Sequence, residues 1–421
     1  MYNIAISAYA LIIRIASLFH PKARKMVRGH KETFRILEEK IDKKARYIWF
    51  HAASLGEFEQ GRPLMEKLKA ENPEYRILLT FFSPSGYESA KNYPFADIVC
   101  YLPFDFPKNA KELVRRIHPE KALFIKYEFW ANYLSELKRN NIPVYLASGI
   151  FRENQIFFRP YGKRYGKVLK NFTYFFLQNK KSEELLHQKG LYNTAITGDT
   201  RFDRVYKIAG QRKEIPLMKE FTDSPVEIKI LVAGSTWEKD EDIVIPYFNS
   251  HPEIKLIIAP HEFSEERLQK ILAKSKRPAK LYSQALKEGL ENAELIIIDC
   301  FGLLSSLYRY ADFAYIGGGF GKGIHNTLEA AVYGIPVLFG PNYNKFKEAN
   351  DLIRLQGGIS VSNAFEFTNR MNDFLSYSDL LNAYGKSAED YVINNLGATN
   401  KIYEIIGNKL THEQAGTQAQ I

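Results

Sequence analysis

Cysteine is nearly absent: Cys100 and Cys300 are the only two in 421 residues, with no C-x-x-C pair and no Cys/His cluster. That excludes a disulfide-stapled secreted scaffold and a thiolate metal site, and it favours a reducing compartment. No internal repeat or low-complexity block occurs, so solenoid and array architectures are excluded. Zinc-finger spacing, an aromatic RNA-binding signature and a basic-leucine pattern are all missing, which leaves nucleic acid unsupported as a partner. No carboxylate cluster has metal-ligand character, so neither a metal nor a cofactor is expected. Composition is otherwise that of an ordinary folded chain, 45% hydrophobic and 25% charged, long enough for two or three domains.

Charge is unevenly placed. Residues 1–210 carry 36 Lys+Arg against 21 Asp+Glu, whereas residues 211–421 carry 22 against 27. The basic first half should face something anionic, and the second half need not. The most apolar stretch is 4–19, where 16 residues contain a single charge, Arg14. Asn3, Ser7, Arg14 and Ser17 fall on one helical face. A cleaved signal peptide places cations before its apolar run; here Lys22, Arg24, Lys25, Arg28 and Lys31 follow it. An apolar helix with a trailing basic cluster suits insertion at an anionic cytoplasmic leaflet, so residues 1–31 read as a membrane-associated segment. The rival reading is a helix packed on its own domain.

From residue 47 short apolar runs alternate with helical patterns, the signature of parallel sheets with crossover helices. The expected strands are 47–51, 76–81, 98–101, 122–126, 144–147 and 174–178 in the first half. In the second they are 228–233, 255–259, 295–299, 313–316 and 336–339. These define an α/β chain with a first domain over 32–210, a polar linker over 211–225, a second domain over 226–410 and a disordered tail over 411–421. Two such domains facing a cleft would bind ligands at the carboxyl ends of their strands.

Three loops carry candidate chemistry. Ser54 and Glu57, after the first strand, have capping-box spacing, and Glu57 is equally placed to act as a general base; spacing supports both readings. In Gly317-Gly318-Gly319-Phe320-Gly321-Lys322-Gly323, five glycines in seven residues follow a strand and precede a predicted helix over 327–333. Such a loop is an anion site suited to a nucleotide phosphate, with Asn326 as cap and Glu329 able to hold a ribose diol. Ser235 and Thr236 after one strand, and His261 after another, lie at the same sheet end. Arg152–Lys170 holds six cations, Arg152 and Lys163 among them, interleaved with aromatic residues.

With these residues in view, the chain resembles the 3-deoxy-D-manno-octulosonic acid (Kdo) transferases of lipopolysaccharide synthesis. His51-Ala52-Ala53-Ser54-Leu55-Gly56-Glu57 is similar to that family's His-x-x-Ser-x-Gly-Glu, and Glu128-Phe129-Trp130-Ala131-Asn132 to its Glu-Leu-Trp-Pro-Asn. Gly198-Asp199-Thr200-Arg201-Phe202-Asp203 and His325-Asn326-Thr327-Leu328-Glu329 extend the likeness over nearly the whole chain. The resemblance implies a GT-B glycosyltransferase of two Rossmann-like domains. It implies inverting, metal-independent transfer of Kdo from CMP-Kdo to a lipid A precursor, at the cytoplasmic face of the bacterial inner membrane, by monotopic insertion or a single N-terminal anchor. Glu57 would be the general base. Ser235, Thr236, His261, Gly318, Gly319, Asn326 and Glu329 would serve the donor nucleotide. Ser54, Gly56, Glu128, Arg152 and Lys163 would serve the acceptor. Where the family has Pro-Arg-His this chain has Pro260-His261-Glu262, leaving Lys322 or His261 to replace a phosphate-binding arginine. The rivals are a GT-B enzyme using a nucleotide-diphosphate sugar and a non-catalytic, membrane-bound polyanion-binding protein.

Overall fold

The structure is a computed structural model that describes residues 2–224 and 226–407. The expected tail over 411–421 lies outside the described residues, as does Pro225 of the expected linker. Two compact units divide the chain: the described residues up to Arg204 with those from Leu396 onward, and Val205–Asn395. These boundaries differ from the expected 32–210 and 226–410. The polar stretch after residue 210 buries Ile215, Met218 and Phe221 and is part of the second unit. The chain end joins the first unit because Asp203 accepts hydrogen bonds from the Gly397 and Thr399 amides, both at 2.7 Å. Ile402 and Ile406 then bury beside Leu64 and Met65.

The first unit holds β1 (Arg46–Ala52), β2 (Tyr75–Phe81), β3 (Ile98–Tyr101), β4 (Lys121–Ile125), β5 (Val144–Gly149), β6 (Tyr174–Leu177) and β7 (Thr194–Ile196). They form one sheet in the order β3-β2-β1-β4-β5-β6-β7, every pair parallel. The second unit holds β8 (Lys229–Thr236), β9 (Ile254–Pro260), β10 (Ala279–Leu281), β11 (Leu295–Ile297), β12 (Phe313–Ile316), β13 (Val337–Phe339) and β14 (Gly358–Ser360). Their order is β10-β11-β9-β8-β12-β13-β14, again all parallel. Strands such as Ile48-Trp49-Phe50 and Leu256-Ile257-Ile258 are unexposed on both faces, as a helix-covered parallel sheet requires. The sequence pattern missed only β7, β10 and β14. Each is a three-residue strand at a sheet edge, too short to show a period.

Each sheet has a central pair at which the strand order reverses, β1/β4 in the first and β8/β12 in the second. Loops leaving adjacent strands there run to opposite faces and part from one another, which is where doubly wound sheets bind ligands. Both places carry a non-glycine residue in the left-handed region: Lys126 after β4, with φ 67°, and Ser235 in β8, with φ 53°.

The N-terminal helix Tyr2–Phe19 is long and apolar enough to cross a membrane by length and composition. One face docks on the first unit: Ile6 and Ala10 pack with Met26 and Phe104, against Phe82 and Trp130. The Tyr2 hydroxyl donates to Asp105 at 2.5 Å and accepts from the Ala131 amide. Its other face leaves Leu11, Ile15 and Leu18 more than half exposed. Arg24 closes the helix by donating to the carbonyls of Ser17 and Leu18. The following helix, Pro21–Lys40, exposes all five cations of the basic cluster while burying Met26, His30, Thr33 and Leu37.

His30 sits among the rings of Phe82, Tyr101 and Phe104, and burial pushes its pKa down from 6.5 to about 4. The folded chain therefore binds fewer protons at this site than the unfolded chain, and stability falls as pH drops from 6.5 toward 4. Urea unfolding of the full chain across that window should show the midpoint falling with pH. His30→Leu should flatten the slope; an unchanged slope would place the acid sensitivity elsewhere.

Candidate functional site

In the first unit the site forms at the β1/β4 reversal. β1 ends at Ala52 and the helix Leu55–Glu71 begins three residues later, bringing Ser54 and Glu57 to the carboxyl end of the sheet. The capping box does not form. Ser54 occupies the cap position without a side-chain bond to the helix amides, and its hydroxyl donates instead to the Glu57 carboxylate. Glu57 is half-buried and held by side-chain contact, while Gly56 is exposed and has room for a Cβ.

Tyr127, just past β4, links this group to a cation. The Arg152 guanidinium lies 5.8 Å from its ring centre. Burial raises the Tyr127 pKa; Arg152 opposes the rise and the Glu57 charge adds to it, so all three side chains share one electrostatic neighbourhood. Lys163 is exposed, and no hydrogen bond or ion pair among the described residues joins it to Glu57. The segment around it forms three short 3₁₀ turns, Ile156–Phe158, Pro160–Gly162 and Tyr165–Asn171.

Glu128 enters a buried cluster with residues that spacing alone could not assemble. Its Oε2 lies 3.1 Å from His51 Nε2 and accepts from Trp130 Nε1 at 2.6 Å. Elsewhere in this unit Asp199 accepts from Gln60 and pairs with Arg201 at 2.8 Å. Burial works against its ionised form, but Arg201 and Gln60 outweigh burial and hold the carboxyl below its ordinary value.

In the second unit the corresponding place is β8/β12. Ser235 is half-buried in its left-handed conformation, a strain that ordinary strand residues do not carry. Thr236 turns the other way: its hydroxyl, fully buried, donates to Glu241, which pairs with Arg267 at 2.7 Å. Its side chain is thus committed to an interior hydrogen bond.

The glycine loop is also used differently from expectation. A Cβ on Gly317 would meet the Ser235 oxygen at 2.2 Å, and one on Gly319 would meet Gly340 Cα at 2.5 Å, so both are needed for close backbone packing. The Gly318 amide donates to Asp240 Oδ2 at 2.9 Å and is not offered to an anion. Among the described residues the Gly319 and Phe320 amides have no acceptor. The helix after the loop is one turn, Leu328–Ala331, rather than the expected 327–333, so little dipole is directed at the loop. Asn326 lies one residue before the cap position, Thr327; it accepts from the Leu328 amide at 3.2 Å and donates to Glu329 Oε1 at 3.0 Å. The other Glu329 oxygen accepts from the Ser305 hydroxyl at 2.6 Å.

Asp240 is the residue the sequence reading missed. It is fully buried, accepts from the Trp237 amide at 2.8 Å and from the Tyr315 hydroxyl at 2.9 Å, and ties β8, β12 and the loop together. Burial raises its pKa. Its position early in the helix Glu238–Ser250 reads in sequence as a simple cap, which hides the contact with Gly318, 78 residues away.

Beside the loop, His261 stacks on His325 at 4.3 Å and on Trp237 at 4.9 Å. Burial, reinforced by His261, pushes the His325 pKa down to about 4, and burial lowers that of His261. Near neutral pH this ladder presents aromatic faces and neutral polar edges to a ligand.

Two parallel-sheet Rossmann-like units of this order are the fold of GT-B glycosyltransferases and related sugar-nucleotide epimerases. The UDP-GlcNAc 2-epimerase of Neisseria meningitidis, solved bound to UDP-GlcNAc, matches 86% of this chain and 100% of its own with a TM-score of 0.62 at 14% identity, a likeness of fold. Residues 28–204 match the model of the 3-deoxy-D-manno-octulosonic-acid transferase (kdotransferase) family, a likeness that supports glycosyltransferase activity. A 3-deoxy-D-manno-octulosonic acid transferase of Aquifex aeolicus is 29% identical over 81% of this chain and 90% of its own length. One from Chlamydia trachomatis is 25% identical over 92% and 91%.

Ser235→Gly separates conformation from chemistry. Glycine relieves the positive φ, so the melting temperature should hold or rise. If the hydroxyl contacts donor, cytidine nucleotide affinity measured by titration should fall several-fold in the same variant. A stable variant with unchanged affinity would remove Ser235 from the donor site.

Proposed function

We propose that the chain transfers Kdo from CMP-Kdo to a lipid A precursor, with Glu57 as general base. The observation that carries this reading is the Glu57 carboxylate at the β1/β4 reversal, held by Ser54 and sharing its surroundings with Tyr127 and Arg152. In the reaction, an acceptor hydroxyl attacks the anomeric carbon of Kdo from the face opposite the nucleotide. Glu57 takes the hydroxyl proton, the new carbon–oxygen bond forms, and cytidine monophosphate leaves with the bonding electrons, inverting the anomeric centre. A leaving monophosphate ester requires no metal to bridge a diphosphate. Among the described residues no group of three His, Cys, Asp or Glu side chains is arranged to hold a metal ion.

The donor is assigned to the second unit. Ser235, the Gly319 and Phe320 amides and the His261–His325 ladder line its reversal point, with Asn326 and Glu329 next to the loop. The acceptor is assigned to the first unit, where Ser54, Glu128, Arg152 and Lys163 offer carboxylate, hydroxyl and cationic contacts to a phosphorylated sugar. The Tyr2–Phe19 helix is read as lying in the membrane surface at the cytoplasmic face of the inner membrane. Its docked face keeps it on the first unit while Leu11, Ile15 and Leu18 meet lipid beside the exposed cations.

Glu57→Gln should keep the fold and donor affinity while lowering transfer by about 10²–10⁴, the usual contribution of a general base. Release of cytidine monophosphate in the presence of acceptor reads this directly, and near-normal turnover would return Glu57 to a structural role. Competition by cytidine rather than uridine nucleotides separates this reading from a diphosphate-sugar enzyme. Replacing Leu11, Ile15 and Leu18 by serine should shift the chain off anionic vesicles in flotation without lowering its melting temperature. Retained flotation would move the lipid contact to another surface.

A further inference from the structure

Of the six cations between Arg152 and Lys170, Arg159 and Arg164 enter no ion pair among the described residues. The single acid of that run, Glu153, is taken by Lys181 at 2.9 Å. The three turns sort their side chains. Phe157, Val168 and Leu169 are buried, with Phe157 packed on Phe129 at 4.7 Å and on Tyr165 at 5.4 Å. Arg159, Lys163 and Arg164 are exposed, and with them Tyr161 at 79% and Ile156 at 43%. A Cβ on Gly162 would meet the Ile156 carbonyl oxygen at 1.7 Å, so the first two turns close tightly on each other. The fold itself thus keeps two large apolar side chains out of the core, among unneutralised cations.

This surface adjoins the N-terminal helix. Tyr165 stacks on Tyr2 at 5.4 Å, and its hydroxyl donates to the Phe129 carbonyl at 2.7 Å, which fixes the third turn against the start of that helix. Ile4, two residues beyond Tyr2, is 72% exposed and opens the apolar face that continues through Leu11, Ile15 and Leu18. Exposed tyrosine, aliphatic and guanidinium groups therefore stand next to a helix whose free face is apolar. A tyrosine ring suits the boundary between headgroups and acyl chains, and cations suit the phosphates just outside it.

We propose that Ile156–Arg164 is a second membrane-contacting surface, with Ile156 and Tyr161 seated among the headgroups of an anionic leaflet and Arg159 and Arg164 on lipid phosphates. A single helix lying in the surface leaves the first unit free to rock about the helix axis; a second contact fixes its tilt. Lys163, assigned to the acceptor, lies between the two arginines in sequence, so a lipid-borne phosphate reaches it without leaving the headgroup layer. The proposal rests on the reading of Tyr2–Phe19 as lying in the membrane surface for the position of the leaflet.

The test floats the full chain with phosphatidylcholine vesicles, with and without phosphatidylglycerol. Each Lys or Arg near an anionic surface strengthens binding about fivefold, so Arg159→Gln with Arg164→Gln should weaken partition onto the anionic vesicles about 25-fold. Added salt should erase that difference, and the melting temperature should hold, since neither arginine is paired in the fold. Unchanged partition of a folded double variant would overturn the proposal. Tyr161→Trp gives a second reading: it should add fluorescence that acyl-brominated lipid quenches, and added emission indifferent to that lipid would overturn the seating of residue 161. The chain carrying Leu11→Ser, Ile15→Ser and Leu18→Ser separates the two contacts. If it alone loses flotation while the arginine variant does not, the second contact fails and the helix reading stands. If the arginine variant alone loses it, the second contact stands and the helix reading fails.

Discussion

A parallel sheet covered on both faces must at some point send successive crossover helices to opposite sides, and the loops that part there leave the one gap that helices do not fill. Both sheets of this protein meet that constraint at a central pair, β1/β4 in one and β8/β12 in the other. The features with chemical potential gather at those two places: Ser54, Glu57, Tyr127 and Glu128 at one, Ser235, the glycine loop and the histidine ladder at the other. The positive φ values of Lys126 and Ser235 occur there too, as departures from regular strand geometry that the surrounding core must sustain.

What holds each place together is a set of buried carboxyl groups, each engaged by two or more polar partners. Asp240 binds one strand, one loop and a tyrosine through three donors; Asp199 is fixed by Gln60 and Arg201; Glu128 by His51 and Trp130. A buried carboxylate stripped of its donors is costly, so each acts as a rigid connector rather than a stabilising contact in excess. The consequence is rigidity: the loops that these carboxyl groups anchor keep a defined geometry at the two strand-order reversals.

Much of this was legible in the sequence. Continuous apolar runs such as Phe313–Ile316 and Ile98–Tyr101 coincide with the strands because a doubly covered sheet leaves no polar alternation to confuse the ends. Ser54 and Glu57 were correctly placed at a strand end, but capping-box spacing said nothing about the hydroxyl turning to the carboxylate. Asp240 was invisible because its partner Gly318 is distant in sequence and its own position reads as a cap. Spacing could not show that the Thr236 hydroxyl turns inward to Glu241. The glycine loop shows the same limit, since Gly317 and Gly319 answer to backbone neighbours on other strands that no local pattern records.

The central claim is the identity of the group transferred and of its acceptor. Mass analysis of the lipid product after incubation of the full chain with CMP-Kdo and a lipid A precursor tests it most directly. The account predicts a mass increase of one or more whole Kdo residues, with one cytidine monophosphate released for each. An acceptor of unchanged mass in the presence of folded, membrane-bound protein, or a product formed only from a nucleotide-diphosphate sugar, would contradict it.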